Sequence, residues 1–127
     1  MAKVFNPKTV VQPASLYAQA ISVPSYARRL IISGQVGVLP DGSILRGYEQ
    51  QAEQIWANIF ALLEAANMDV SNLVLIRVYD VAPGNVAAYR AIRDRVLNGH
   101  VVTATYVIVS GLASSEFLTE IEAEAVK

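Results

Sequence analysis

The chain has 127 residues, of which 54% are hydrophobic and 17% are charged, and its formal net charge is −1. This composition excludes a disordered chain, because there is ample apolar surface to bury. The near-neutral charge gives no electrostatic reason to expect a nucleic acid as partner.

These numbers predict one cytoplasmic domain over residues 1–127. No run approaches the ~18 consecutive apolar residues of a membrane span, and the first residues do not begin a signal-peptide pattern. With no cysteine and one histidine, the chain offers no disulfide framework, no zinc cluster and no thiol nucleophile. We therefore expect no contact with a membrane, no metal and no other cofactor.

The first half of the chain predicts two strands and a helix. Residues 17–23 alternate loosely as a strand after an irregular entry. Residues 29–36 are apolar on both faces, which is typical of a central strand, and the intervening turn favours a hairpin between these two strands. A proline-glycine turn at residues 40–43 precedes a helix over residues 47–67, where apolar residues recur every three or four positions.

The second half predicts a strand, a helix and two further strands, over residues 73–79, 86–97, 101–110 and 117–126. The order indicates an α+β fold in which two helices cover one face of a mixed sheet. Because the strands also carry apolar residues on the other side, we expect other copies of the chain to bury the second face.

Strand 29–36 is interrupted by Ser33, Gly34 and Gln35. Glycine weakens a strand, so it is typical of a bulge or of a close approach by another backbone or a ligand. Ser33 and Gln35 place a hydroxyl and an amide on either side of this bare backbone. A bulge with locally satisfied polar atoms is favoured from these residues alone, and a ligand site is the alternative.

Charged residues supply two further candidates. Arg77 is the one cation within an apolar strand, where a guanidinium is costly to bury unless it is paired or offered to an anion. Two interpretations remain open for it: a ligand contact, or a pair with one of three glutamates that share a face of the last strand, Glu120, Glu122 and Glu124. The glutamates indicate either a charged sheet edge or a functional role for Glu120.

For the other cations and the histidine, a solvated surface position is favoured over a functional role. Arg90, Arg93 and Arg95 are spread around the second helix, where a solvated face is favoured over a basic patch. The apolar residues Ala87 and Ile92 are expected to face inward instead. His100 has no carboxylate or nucleophile beside it in the sequence, which favours a solvated loop residue.

Four segments of the chain carry a family resemblance: Tyr17–Ile21, Ser33–Gln35, Ala65-Ala66 and Glu120–Ala123. In this order and at this spacing they resemble the Rid family, also called YjgF or L-PSP. The resemblance covers nearly the whole chain and implies a chorismate-mutase-like homotrimer whose sheets form an inner barrel, with three clefts between subunits. The best-known members hydrolyse reactive enamines and imines to 2-keto acids and ammonia, and other members are described as ribonucleases or translation inhibitors.

The resemblance also implies roles for single residues. Tyr17, Ser33 and Gly34 match cleft-lining positions, and Glu120 matches the carboxylate that positions the attacking water.

The chain departs from the deaminating members at the opening of its fourth main strand. Those members carry an arginine there that clamps the substrate carboxylate. This chain has Ala104 in the arginine's place, and Tyr106 where a small residue is common. A short side chain cannot replace a two-pronged guanidinium contact.

We therefore expect a homotrimer that binds a small metabolite, with carboxylates as candidates, in clefts between subunits. The expected site residues are Tyr17, Ser33, Gly34, Gln35, Arg77, Ala104, Tyr106 and Glu120. The first alternative is an enamine or imine hydrolase that uses another clamp or a substrate without a carboxylate. The second is a ribonuclease, although the sequence offers no histidine pair or basic groove.

Overall fold

Six strands and two α-helices follow one another in the computed structural model, which describes residues 2–127. In chain order they are β1 (Lys3–Phe5), β2 (Ala20–Ser22), β3 (Arg29–Gln35), α1 (Tyr48–Ala65), β4 (Leu73–Asp80), α2 (Val86–Leu97), β5 (Thr103–Ile108) and β6 (Thr119–Val126). The predicted α+β class is confirmed, and both helices lie within two residues of their predicted bounds. Asn67 and Asn98 end the helices with positive φ angles, as their tolerance of this conformation predicts.

The main sheet has the strand order β3-β6-β4-β5. Strands β3 and β4 both pair antiparallel with β6, whereas β4 and β5 run parallel, so the sheet is mixed. The prediction that residues 29–36 form a central strand was wrong, because β3 is an edge. Leu30 and Ile32 face the core, and only Ile31, which is exposed on the other face, made the strand look apolar on both sides.

The predicted hairpin between residues 17–23 and 29–36 was also wrong. Strand β2 pairs with β1 in a separate two-stranded sheet, where Val4 lies opposite Ile21. The segment between β2 and β3 does not close a turn, because the backbone amides of Ala27 and Arg28 donate to the carbonyl of Lys127. This contact leads the chain to the end of β6, which becomes the partner of β3.

Both helices pack on one face of the main sheet, as the sequence predicts. The core joins Ile55, Trp56, Ile59 and Leu63 of α1 and Tyr89, Ile92 and Leu97 of α2 to the inward residues of the strands, among them Ile32, Ile76, Val78, Ile121 and Ala123. Within residues 2–127, neither helix combines the length and the hydropathy that crossing a membrane would need.

The other face of the sheet, which we call the open face, carries charged residues together with exposed apolar ones such as Ile31 and Val107. It carries the three glutamates of β6, flanked by Arg29 on β3 and Arg77 on β4, which lie opposite Val126 and Glu122 in the register. Arg29 forms an ion pair with Glu124. The expectation of an apolar second face holds for Ile31 and Val107 but not for β6, whose polar residues alternate onto this face while its apolar residues turn to the core. Burial of the open face by other copies stays a prediction.

Candidate functional site

A cavity of about 270 Å³ lies between α2 and β5. Its lining includes Tyr17, Ala104 and Tyr106, three of the residues predicted for the site. Ala104 and Tyr106 are two positions apart on β5, so both point to the helix-covered face. Tyr17 is held beside β5 because the backbone amide of Ala18 donates to the carbonyl of Val102 at 2.9 Å. The fold thus brings these three residues together.

A buried carboxylate fixes Tyr106 in this cavity. Asp80, at the end of β4, is fully buried, and its Oδ2 accepts hydrogen bonds from the hydroxyls of Tyr106 and of Tyr48, the latter at 2.8 Å. Burial, followed by the hydrogen bond to Asp80, raises the pKa of both tyrosines, so both remain donors. Tyr106 therefore offers the cavity its ring, which lies 5.3 Å from the ring of Tyr89 between centroids.

Arg90 and Arg93 of α2 also line the cavity, although neither was among the predicted site residues. The side chain of Arg93 is only 3% exposed, so the prediction of a solvated face was wrong for this residue. Tyr89, Arg93 and Leu97 recur every four positions and are all buried, which places the arginine stem on the inward stripe. That four-residue spacing is the signal from which the burial of Arg93 could have been predicted, since an arginine stem packs well on apolar surface.

The same helix contradicts one further expectation. Ala87, predicted to face inward, is exposed, whereas Tyr89 is buried. The buried face of α2 therefore includes Tyr89 and not Ala87, so it is rotated relative to the face that the apolar residues alone indicated.

The bulge in β3 is confirmed by a register shift between Ile32 and Gln35 against β6. The amide of Gln35 donates to the carbonyl of Ser33 at 3.0 Å, so this polar group is satisfied locally. A Cβ atom added to Gly34 would lie 1.8 Å from Oε2 of Glu120. The missing side chain of Gly34 leaves the space that the Glu120 carboxylate occupies.

Glu120 lies on the open face, where it lines a groove of about 350 Å³ with Tyr79 and Glu122. Burial, and then the charge of Glu122, raises the pKa of the Glu120 carboxyl. A carboxyl group shifted towards neutral pH is suited to accept or hold a proton. The charged-edge interpretation was wrong, because β6 is an interior strand.

Arg77 points to the open face and is 46% exposed. Its Nη1 lies 3.5 Å from Oε1 of Glu122, which also accepts a hydrogen bond from the hydroxyl of Tyr79. Pairing with one of the three glutamates is thus observed. Arg77 lines neither the cavity beside Tyr17 nor the groove beside Glu120, and its ligand contact stays a prediction.

Apart from Arg77, the predicted site residues form two groups within the chain. One group, which we call the cavity half-site, consists of Tyr17, Ala104 and Tyr106 at the β5 edge. The other, the bulge half-site, consists of Ser33, Gly34, Gln35 and Glu120 at the β3 side. Because β5 and β3 are three strand spacings apart, about 14 Å, and Glu120 points to the face opposite that of Ala104 and Tyr106, one chain does not unite them.

Two further features contribute no ligand group to these half-sites. A cavity of about 490 Å³ lies beside β1 and β2 and includes His100 in its lining. The Nε2 atom of His100 is 2.7 Å from the carbonyl oxygen of Leu73, so the expected solvated loop histidine is in fact bonded to the backbone. Across residues 2–127, no cluster of three or more histidine or acidic side chains is placed to hold a metal ion.

Comparison with known proteins agrees with this fold. The family model described as Endoribonuclease L-PSP matches residues 8–127. A RutC family protein of Aquifex aeolicus is 36% identical over 80 residues, which are 62% of this chain and 61% of that protein, so the chain spans less than two thirds of that relative's length.

Two solved structures extend the similarity to nearly the whole chain. YyfB of Yersinia pestis, a Rid-family protein, superposes with a TM-score of 0.91 and 29% identity over 99% of this chain and 98% of its own. RidA from an Antarctic Psychrobacter superposes with a TM-score of 0.76 and 27% identity over 91% of each chain. The fold and the family match define an L-PSP-type protein. The chain belongs to the Rid family, as the four sequence segments predicted.

Proposed function

We propose that this protein is a homotrimer that binds a small metabolite, with a carboxylate as the candidate ligand, in clefts formed between neighbouring copies. The observation that carries the proposal is the separation of the two half-sites. Tyr17 and Ala104 lie at one edge of the sheet, and Ser33 and Glu120 lie near the other, on the opposite face. A second copy of the chain can place its bulge half-site beside the cavity half-site of the first copy, so that a cleft between them contains both.

The edges of the sheet support such an assembly. Strands β3 and β5 have no neighbour beyond them in the main sheet of residues 2–127, apart from the bridge between Ala18 and Thr103. A contact between the β3 side of one chain and the β5 side of the next is head-to-tail, and head-to-tail contacts form a ring when the rotation between copies closes. The family resemblance supplies three as the number of copies.

Light scattering at micromolar concentration tests the assembly, and we expect three times the mass of one chain. Mixing two variants tests whether each site is shared. Ala104→Trp fills the cavity half-site and Ser33→Trp obstructs the bulge half-site, so each variant alone should lose binding of the probe pyruvate. After unfolding and refolding together, about a quarter of the clefts should combine two intact halves and recover binding. No recovery from correctly sized mixed assemblies would contradict a shared cleft.

Imine or enamine hydrolysis is the second candidate function, and the position of Glu120 favours it. Its carboxyl lies over the bare backbone of Gly34 and has a raised pKa, which suits a group that positions and deprotonates water. The test follows the decay of freshly generated 2-iminopropionate. We expect the wild type to leave the decay nearly unchanged and Ala104→Arg to accelerate it. Strong turnover by the wild type that Glu120→Gln abolishes would favour the hydrolase instead.

The ribonuclease alternative has no supporting observation. The description of the matching family model names an endoribonuclease, but the one histidine of this chain contacts a backbone carbonyl. An acid–base pair of histidines is therefore not available. A cytoplasmic location stays a prediction from the sequence.

A further inference from the structure

The side chain of Gln51 is buried on α1, where a polar group is costly unless its hydrogen bonds are made. The residue is only 1% exposed. Its Nε2 atom donates to the carbonyl of Leu45 at 2.8 Å and to the carbonyl of Glu116 at 2.9 Å. Its Oε1 atom accepts from the backbone amide of Leu118 at 2.8 Å. The amide thus joins the loop that follows β3 to the loop that precedes β6, and it ties both to the helix.

Both loops adjoin the bulge half-site at the point where the pairing of β3 with β6 ends. The register of this pairing shifts at the bulge, and its last pair is Gln35 with Ile121. Glu120 lies one residue beyond that pair. Its pairing with Tyr79 holds it on the β4 side of the strand only. The position of Glu120 relative to Gly34 therefore depends on contacts outside the strand pairing, because a bulge disrupts the ladder locally.

Helix α1 also holds the loop after β3 at two further points. The Nδ2 atom of Asn58 donates to the carbonyl of Val36, the residue that directly follows β3, at 3.3 Å. A Cβ atom added to Gly37 would lie 2.5 Å from Cβ of Gln51, so the loop backbone packs directly on the helix there. Gln51 and Asn58 are seven positions apart, which is about two helical turns, so both lie on the same face of α1. One rigid element therefore carries both attachments.

We propose that Gln51, with Asn58 as a second attachment, is a positioning residue of the bulge half-site, which holds Glu120 over Gly34 by tying both adjoining loops to α1. Leu118, whose amide Gln51 binds, precedes Glu120 by two residues, about 7 Å along a strand. A displacement of the loop at Leu118 would therefore move the carboxyl out of the space above the bulge. The inference rests on the proposed function in one respect, since that function places Glu120 in the ligand cleft. The contacts themselves lie within one chain.

The titration of Glu120 reports its position without any ligand. Burial, and then the charge of Glu122, raises the pKa of the Glu120 carboxyl above the ordinary 4.5, so a carboxyl displaced towards water should return to that value. The experiment follows the carboxyl carbon of Glu120 by NMR as the pH is changed. Gln51→Met keeps the length of the side chain and removes its hydrogen bonds without adding a charge. We expect the pKa of Glu120 to fall towards 4.5 in Gln51→Met, and an unchanged pKa would overturn the proposal.

Leu63→Ala is the matched control for a general loss of stability. Leu63 is buried on the same helix, about three turns beyond Gln51, and its truncation also destabilises the fold. We expect Leu63→Ala to leave the pKa of Glu120 as in the wild type. An equal fall of the pKa in both variants would overturn a specific role for Gln51. Asn58→Leu serves if Gln51→Met does not fold. It releases the loop after β3 from α1, so the pKa of Glu120 should again fall, and an unchanged pKa would overturn the positioning role of the helix.

Pyruvate binding, measured by calorimetry, separates this inference from the proposed function. If Gln51→Met lowers the pKa of Glu120 while Ser33→Trp still binds pyruvate like the wild type, the positioning role is supported and the shared cleft is not. If Ser33→Trp loses pyruvate binding while Gln51→Met leaves the pKa of Glu120 unchanged, the shared cleft is supported and the positioning role is overturned.

Discussion

The solvent exposure of Arg77 and Arg93 is the opposite of what their sequence neighbours indicate. Arg77 sits in an apolar strand, yet it is 46% exposed and pairs with Glu122 on the open face. Arg93 sits among charged residues of a helix, yet it is 3% exposed and pairs with Asp94. The polarity of sequence neighbours is thus a poor guide to burial, because the period of the element decides which side of it a residue faces.

The open face and the surroundings of the cavity also differ in how well they tolerate substitutions. On the open face, charges pair across neighbouring strands within reach of water, so each pair contributes little. Around the cavity, Asp80 and Arg93 are enclosed, so the loss of any partner leaves a buried polar group unsatisfied. Substitutions on the cavity side should therefore cost more stability than substitutions on the open face.

Asp80→Leu should have the largest effect. It removes the acceptor of both Tyr48 and Tyr106, and we expect it to lower the free energy of unfolding by about 3 kcal/mol. Urea unfolding measures this. Asp80→Asn is the control, because its amide oxygen still accepts from both hydroxyls and should restore much of the loss. A cost for Asp80→Leu no larger than that of a surface substitution would break the contrast between the two regions.

The sequence could predict the helices, the bulge and the family, because these depend on local spacing and turn chemistry. It could not predict that β3 is an edge, since this depends on which strand β6 joins, a long-range choice that the contact of Ala27 and Arg28 with Lys127 favours. Nor could the sequence predict from polarity alone that the side chain of Arg93 is buried. The separation of the predicted site residues into two groups appears only once the strand order is known.

Two glycines beside the bulge should respond differently to alanine. In Gly37→Ala the new Cβ would lie 2.6 Å from the backbone Cα of Gln51, which cannot yield, so we expect a loss of about 2 kcal/mol. In Gly34→Ala the obstacle is the carboxyl end of Glu120, a flexible side chain that can move away. We expect a loss below about 1 kcal/mol for Gly34→Ala. Urea unfolding of both variants checks the order, and a reversed order would show that Glu120 is held rigidly.

The pH dependence of stability should report the environment of Glu120. Because its folded-state pKa is raised above the ordinary 4.5, the unfolded chain releases this proton first as pH rises. The contribution of Glu120 is therefore present below pH 4.5 and is lost as pH rises through the folded-state pKa. Compared with Glu120→Gln, the melting temperature of the wild type should fall over this interval. In Gly34→Ala the displaced carboxyl should be less buried, so the difference should shrink; an unchanged difference would contradict the assigned cause.

Arg77→Met should have the smallest effect. The pair with Glu122 is 3.5 Å long and exposed on both sides, and pairs of this kind contribute about 0 to 1 kcal/mol. The loss should be partly offset, because Tyr79 still donates to Glu122. Urea unfolding should thus place Arg77→Met within about 1 kcal/mol of the wild type, and its pyruvate binding should be unchanged. Loss of pyruvate binding in Arg77→Met at unchanged stability would instead assign the ligand contact to Arg77, and the open face would then be the binding surface.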